Sequence, residues 1–211
     1  MIEAVATATP TVLGVMVLGN HPRQLLPCSY AQFLRFNGAD LAAQIIDEAT
    51  IDGRVSKIIE RIDDKLKAHI STRVDFVSQD KEIRQSDYPL SALQQLIRNA
   101  IMHRSYEATH APVRIDWFED RIEILNPGGP YGLVNSENFG LAGITDYRNP
   151  HLAEAMKVLG FVQRFGVGIS TARRLLAENG NPPLQFLTSA TDIKAIVRRA
   201  NGAGILNSGA H

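Results

Sequence analysis

The sequence lacks several features that would point to a function at once. Only one of its 211 residues, Cys28, is a cysteine, which excludes a disulfide framework and any cysteine-rich metal site. The 22 basic and 22 acidic residues cancel, so the chain has no overall positive field of the kind that drives non-specific nucleic-acid binding. A single cysteine fits a reducing compartment, and we expect the protein to be cytoplasmic.

Long hydrophobic runs are missing as well. The longest uncharged stretch, residues 4–22, includes two prolines and several polar residues, and it is too polar for a membrane span of about 20 apolar residues. No Lys or Arg precedes Arg23, so the positive region of a signal peptide is absent. We therefore expect a soluble protein without membrane association.

Familiar catalytic motifs are also absent. The sequence contains no P-loop (G-x-x-x-x-G-K-[ST]), no H-E-x-x-H, no C-x-x-C and no G-x-S-x-G. Its six histidines are scattered without the spacing of metal ligands. These absences exclude a P-loop NTPase or helicase motor and most hydrolases and metalloenzymes.

The hydrophobic pattern that is present predicts an α+β fold. Short apolar or alternating runs predict strands at residues 11–18, 30–36, 41–46, 113–117, 121–125, 184–187 and 193–198. Helical periodicity predicts helices at residues 55–70, 90–104, 150–160 and 169–179. Residues 73–78 should be extended, and a polar loop should follow up to Tyr88. Because strands and helices do not alternate strictly, we expect a two-layer sandwich with helices on one face of a mostly antiparallel sheet. A parallel doubly wound sheet is the alternative.

One helix contains a candidate site wall. On the predicted helix 90–104, Gln95, Asn99 and His103 recur every four residues beside the apolar face. This polar stripe could line a binding site, or it could simply be a solvated flank of the helix.

Two glycine turns are further candidates. Gly128-Gly129 follows a predicted strand, and Gly166-Val-Gly168 precedes a predicted helix. Glycine allows backbone N–H groups to approach an oxyanion, and a helix N-terminus adds about half a positive charge. Such turns suit phosphate binding, although glycine pairs also make ordinary turns.

The order of these features resembles that of a known family. Residues 93–106, 120–129, 148–153 and 159–169 together resemble the GHKL (Bergerat-fold) ATP-binding domain. The branch is the one found at the C-terminal end of Schlafen/Alba-type predicted transcriptional regulators, also described as RecG-like helicase-related proteins. The resemblance implies a connector subdomain (11–75) and the ATP-binding domain (76–199). The composition of the two ends predicts a disordered start (1–10) and a flexible tail (200–211).

The resemblance also implies that the site binds ATP and Mg²⁺. Asn99 matches the Asn that ligates the magnesium ion, and an amide oxygen suits this hard cation. His103 matches a His that follows this Asn by four residues in the same branch. The glycines match the two glycine boxes of the family: Gly128 and Gly129 beside the adenine, and Gly166 and Gly168 around the phosphates.

Two positions depart from the family pattern. The general base is normally a Glu four residues before the Asn, and here that position is Gln95, which cannot accept a proton from water at neutral pH. The first glycine box normally opens with an Asp that accepts a hydrogen bond from the adenine amino group, and Asn126 stands nearest that place. We therefore expect weak hydrolysis or none.

The expected function is a nucleotide-binding regulatory module of a transcriptional regulator. One alternative is a degenerate scaffold that has lost its ligand and acts in dimerisation or protein interaction. Another is a competent ATPase that positions water through a residue other than Gln95. No phosphoacceptor helix pair precedes the domain, which argues against a histidine kinase. DNA contact is expected only through the Alba-like module of those regulators, which is not among these 211 residues. The oligomeric state stays open, a homodimer included.

Overall fold

The computed structural model describes residues 9–78, 81–141, 143–162 and 166–200. The helices within these ranges are α1 (Val12–Leu18), α2 (Pro22–Leu25), α3 (Val55–His69), α4 (Leu90–His103), α5 (Pro150–Val158) and α6 (Gly168–Glu178). The strands are β1 (Tyr30–Asn37), β2 (Gln44–Asp52), β3 (Thr72–Ser78), β4 (Lys81–Ser86), β5 (Val113–Trp117), β6 (Arg121–Pro127), β7 (Gln185–Thr188) and β8 (Asp192–Arg198). No helix in the described ranges has the length and apolar character needed to cross a membrane.

Six strands form one sheet in the order β2-β1-β5-β6-β8-β7. The β1–β5 pair is parallel, and every other pair in this sheet is antiparallel. Strands β3 and β4 form a separate antiparallel pair. The predicted α+β class with a mostly antiparallel sheet is therefore confirmed.

The two faces of the sheet differ in polarity. Phe33, Ile115, Ile124 and Ala195 lie in register across β1, β5, β6 and β8 and are all buried. This apolar face packs with the helices in one hydrophobic core. The opposite face carries ion pairs such as that between Lys194 and Glu123. The alternation follows from the two-residue period of a strand with one face in the core.

The two long helices bury the faces that their sequences predict. Helix α3 buries Val55, Ile58, Ile59, Ile62 and Leu66. Helix α4 buries Ala92, Leu93, Leu96, Ile97, Ala100, Ile101 and Met102. Helix α4 contacts α3, α5, α6 and strand β6, so its polar stripe runs along the edge of a packed core.

The strand predicted at residues 11–18 is wrong, because this segment forms helix α1. The Thr11 hydroxyl accepts a hydrogen bond from the Gly14 N–H at 3.1 Å and caps the helix. One side of the helix buries Val15 and Met16. An apolar run of this length cannot be distinguished from a buried helix by periodicity, and the Thr cap favours the helix.

Two other sequence predictions need correction. The strand expected at residues 41–46 begins at Gln44 and extends to Asp52, because the Asp40 side chain accepts a hydrogen bond from the Ala42 N–H and holds a turn before it. The polar loop expected before Tyr88 contains strand β4, paired with β3.

The predicted connector and ATP-binding parts share one sheet, since β1 pairs with β5. The predicted disordered start (1–10) and flexible tail (200–211) fall outside the described residues except for positions 9, 10 and 200.

Candidate functional site

A cavity lies between helix α4, the end of strand β6 and the start of helix α6. Its free space is about 1170 Å³, the open mouth included. Seven of the eight candidate residues line it: Gln95, Asn99, His103, Asn126, Gly129, Gly166 and Gly168. The eighth, Gly128, is adjacent in the chain and lies against other backbone. Features more than 70 residues apart in the sequence are thus brought to one place.

Helix α4 forms the polar wall. Gln95, Asn99 and His103 are each partly exposed and stand beside the buried face of this helix. A Cβ atom added to Gly168 would meet the Gln95 side-chain oxygen at 3.4 Å. The wall of α4 and the first residue of α6 therefore face each other across a short gap.

The first glycine turn is required by close backbone packing. Gly128 has φ +114°, and a Cβ there would come within 2.9 Å of the Ser105 backbone nitrogen. A Cβ on Gly129 would meet the backbone oxygens of Ser189 and Ala190 at 2.5 Å. The Gly128 N–H donates to the carbonyl of Thr191. These contacts alone account for both glycines.

The second glycine turn leads directly into α6. Gly166 has φ +75°, and a Cβ there would meet the Thr145 methyl group at 2.9 Å. Helix α6 begins at Gly168, and no side chain caps its N-terminus among the described residues. The backbone N–H groups of its first turn remain available at the cavity wall.

Asn126 is the polar group at the floor of the cavity. Its Cα partner across the sheet is Ile193, which also lines the cavity together with Ile124 and Ala195. Asn126 is 5% exposed, and its side-chain oxygen accepts no hydrogen bond within the described residues. Leaving a buried acceptor unpaired costs about 1–3 kcal/mol, so a donor on a ligand would stabilise this position.

His103 is neutral at physiological pH. Burial, reinforced by the positive charge of Arg148, lowers its pKa to about 4, while Asp146 acts in the opposite sense. Asp146 is the carboxylate among the described lining residues. Its two oxygens accept hydrogen bonds from the backbone N–H groups of Leu133 and Tyr147.

The loop between β6 and α5 supplies residues that sequence reasoning did not assign to the site. Tyr147 stacks on His103, and its hydroxyl accepts a backbone hydrogen bond from Gly166. The next two residues form hydrogen bonds beside the cavity. Arg148 donates to the Gly129 carbonyl, and Asn149 donates to two carbonyls at the C-terminal end of α4. Residues 148–153 form one of the motifs of the family resemblance, but the hydrogen-bond partners of their side chains cannot be read from the sequence.

Residues 110–197 match the family model described as "Putative ATP-dependent DNA helicase recG C-terminal". The match supports an ATPase-like domain and covers strands β5 to β7, all but the last residue of β8, both glycine turns and helices α5 and α6. It spans less than half of the chain and begins after α4, so Gln95, Asn99 and His103 lie outside it.

A solved structure shares the fold. The DIP2311 protein from Corynebacterium diphtheriae superimposes with a TM-score of 0.71 over 85% of this chain, at 18% sequence identity. This chain spans 37% of the length of that protein. At such low identity the likeness shows the fold alone. No curated protein matches the sequence.

Proposed function

We propose that the cavity binds ATP with Mg²⁺ and that the domain acts as a nucleotide-dependent regulatory module with little or no hydrolysis. The observation on which this rests is the convergence of Asn99, Asn126 and the uncapped start of α6 on one cavity. The ATPase-like family match over residues 110–197 supports it.

The floor of the cavity suits a planar base. Besides Asn126, the cavity is lined by apolar side chains, among them Ile124, Ala195 and Phe186. Ligand sites of about 300–1,000 Å³ with apolar walls and a few placed polar groups are typical for small molecules. The unpaired Asn126 oxygen would accept a hydrogen bond from a base amino group.

The opposite end suits phosphate. The start of α6 presents the positive end of the helix dipole and first-turn N–H groups that no side chain caps among the described residues, a combination that favours anions. Gly168 keeps this end open, since the nearest atom to an added Cβ is the Gln95 oxygen at 3.4 Å. We place the phosphates between α6 and Asn99.

Asn99 is the residue that would hold the metal. No group of three or more His, Cys, Asp or Glu side chains capable of holding a metal ion is found in the described part of the chain. Magnesium commonly takes only one or two protein ligands and completes its shell with water and phosphate oxygens. Bound there, it would neutralise part of the phosphate charge, and the Asn99 amide oxygen would fix its position.

The residues at the cavity favour binding over hydrolysis. Gln95 occupies the position of the general base, and an amide cannot serve as one. His103, with its pKa near 4, is too weak a base to compete at neutral pH. Both oxygens of Asp146 are engaged with backbone N–H groups.

Equilibrium titration of the full chain with ATP, in Mg²⁺ and in EDTA, tests the proposal. We expect saturable binding that weakens when the metal is removed. Absence of binding at millimolar ATP would contradict it and would favour the ligand-free scaffold. Steady-state phosphate release at the rate of a working enzyme would instead favour the competent ATPase.

The regulatory role is part of the same proposal. We expect DNA to be contacted through a separate module, as in the regulators that the sequence resembles, and the protein to work in the cytoplasm. Sedimentation of the chain with and without Mg-ATP would reveal whether nucleotide changes its association into a homodimer. Tight binding of duplex DNA by these 211 residues alone would contradict this assignment.

A further inference from the structure

Arg98 lies in the cavity wall and connects helix α4 to helix α3 and to the segment that follows α5. It precedes Asn99 on α4, and it is among the residues that line the cavity. Its Nη1 donates to the Phe161 carbonyl at 3.0 Å, and its Nη2 donates to an Asp63 carboxylate oxygen at 3.0 Å. The Arg98 guanidinium also lies 5.8 Å from the centre of the Phe161 ring.

We propose that Arg98 is a positioning residue for Val162 in the cavity wall, and that Asp63 on helix α3 sets the position of Arg98. This inference rests on the proposed nucleotide site. The affinity of the cavity for nucleotide then depends on Asp63, a side chain that does not line the cavity.

The guanidinium geometry suits this role. Its planar fork can direct one nitrogen to a carbonyl and another to a carboxylate at the same time, which a lysine ammonium on a flexible stem does less well. Phe161 and Val162 follow α5, and Val162 lines the cavity. Holding the Phe161 carbonyl therefore fixes the backbone from which the next residue, Val162, contributes to the cavity wall.

Asp63 is itself held by α4. The same carboxylate oxygen that contacts Arg98 also accepts a hydrogen bond from the Gln94 amide at 2.8 Å. The side chains of Asp63 and Arg98 are each only 17% exposed. Removing the Asp63 charge would leave the Arg98 guanidinium without its charged partner in a partly buried position, where such pairs matter more than at the surface.

Helix α3 also provides a matched control. Asp64 is the next residue, yet its side chain is 78% exposed and lies 3.9 Å from Lys67 on the same helix. Asp63→Asn and Asp64→Asn make the same chemical change one position apart. Only the first removes a charge that faces Arg98.

The test compares these two variants in the full chain, at a temperature well below the melting point of either. We expect Asp63→Asn to bind Mg-ATP about tenfold more weakly, within the range by which coupled residues change affinity. Amide hydrogen exchange at residues 159–162 should be faster than in the wild type, with or without nucleotide. Asp64→Asn should match the wild type in both measurements.

The conservative variant Arg98→Lys separates positioning from simple packing. It keeps a positive charge near Asp63 but loses the fork, so it should reproduce the weaker binding and the faster exchange while α3 stays protected. If Asp63→Asn fails to fold, Arg98→Lys provides the test in its place. Unchanged affinity and unchanged exchange in a folded Asp63→Asn or Arg98→Lys protein would overturn the inference. If the wild type binds no nucleotide, the proposed function fails, while the exchange measurement still decides whether Arg98 holds the backbone at Phe161 and Val162.

Discussion

The His103 ring stacks on the Tyr147 ring with centroids 5.2 Å apart and an interplanar angle of 25°. The Tyr147 hydroxyl accepts a hydrogen bond from the Gly166 backbone. This stack connects the end of α4 to the second glycine turn through side chains. His103 is therefore part of the framework that holds the site together.

The lowered pKa of His103 predicts a pH-dependent stability. Its pKa falls from 6.5 to about 4 on folding, so below pH 6.5 the unfolded chain takes up a proton that the folded chain does not. Proton uptake by the unfolded chain therefore lowers the free energy of unfolding. The contribution of neutral His103 to stability is fully present above pH 6.5 and is lost as the pH falls towards 4. With about 1.4 kcal/mol per pKa unit, it amounts to roughly 3 kcal/mol.

Replacing His103 by Phe keeps an aromatic ring on Tyr147 and removes the titration. We expect the unfolding free energy of His103→Phe, measured by urea denaturation, to depend less on pH between 6.5 and 4 than that of the wild type. The exposed His110 provides the control variant His110→Phe, which should keep the wild-type slope. An equal dependence of the unfolding free energy on pH in all three proteins would refute the claim that His103 is neutral in the folded chain.

Asn99→Ala tests the metal ligand. Asn99 is not among the buried residues of α4, so we expect the melting temperature to change little. The variant should lose the part of the ATP affinity that depends on Mg²⁺, because alanine offers no oxygen ligand. In EDTA the variant and the wild type should bind alike. Equal binding in the presence of Mg²⁺ would show that Asn99 has another role.

Gln95→Glu tests the proposal that hydrolysis is weak because Gln95 stands where a general base is needed. The change places a carboxylate one helical turn before Asn99, where it could orient and deprotonate water. General bases typically contribute 10²–10⁴-fold, so we expect a measurable rise in phosphate release. ATP affinity should change little, because a base acts mainly in the transition state. Unchanged release with unchanged binding would mean that the site lacks more than a base.

Gly166→Ala tests the second glycine turn, and Gly160→Ala is its matched control. Both glycines have nearly the same φ, +75° and +79°, so both substitutions incur a similar left-handed strain of about 1–2 kcal/mol. Only the Cβ at position 166 would meet a neighbour, the Thr145 methyl group at 2.9 Å, whereas position 160 is open. Gly166→Ala should therefore lower both the melting temperature and the ATP affinity further than Gly160→Ala. Equal losses would exclude a special role for the turn.

Local patterns predicted the long helices well and the short apolar segments poorly. The stripe of α3 spans four turns, and the structure buries the face that it predicts. Residues 12–18 cover only two turns, so their helix depends on the Thr11 cap and on packing. The parallel β1–β5 pair joins segments about 80 residues apart, and no local pattern reports such a pairing.

The candidate site was predicted in part. Side chains at helical spacing and glycines beside predicted elements could be identified from the sequence, and the structure brings them to one cavity. The contributions of Tyr147 and Arg98 could not be identified in this way. Tyr147 contacts Gly166 and Arg98 contacts Phe161 only in the folded chain, since these partners are far apart or unpatterned in the sequence. The Asn126 oxygen lacks a hydrogen-bond partner within the described ranges because of how the folded chain buries it, which the sequence likewise does not reveal.

The central claim is that nucleotide binds between α4 and the glycine turns. A crystal structure of the full chain grown with Mg²⁺ and a non-hydrolysable ATP analogue tests it most directly. The account predicts density in this cavity, with the base at Asn126, the phosphates at the start of α6 and the metal beside Asn99. Density for the analogue at another place on the molecule, with this cavity empty, would contradict it.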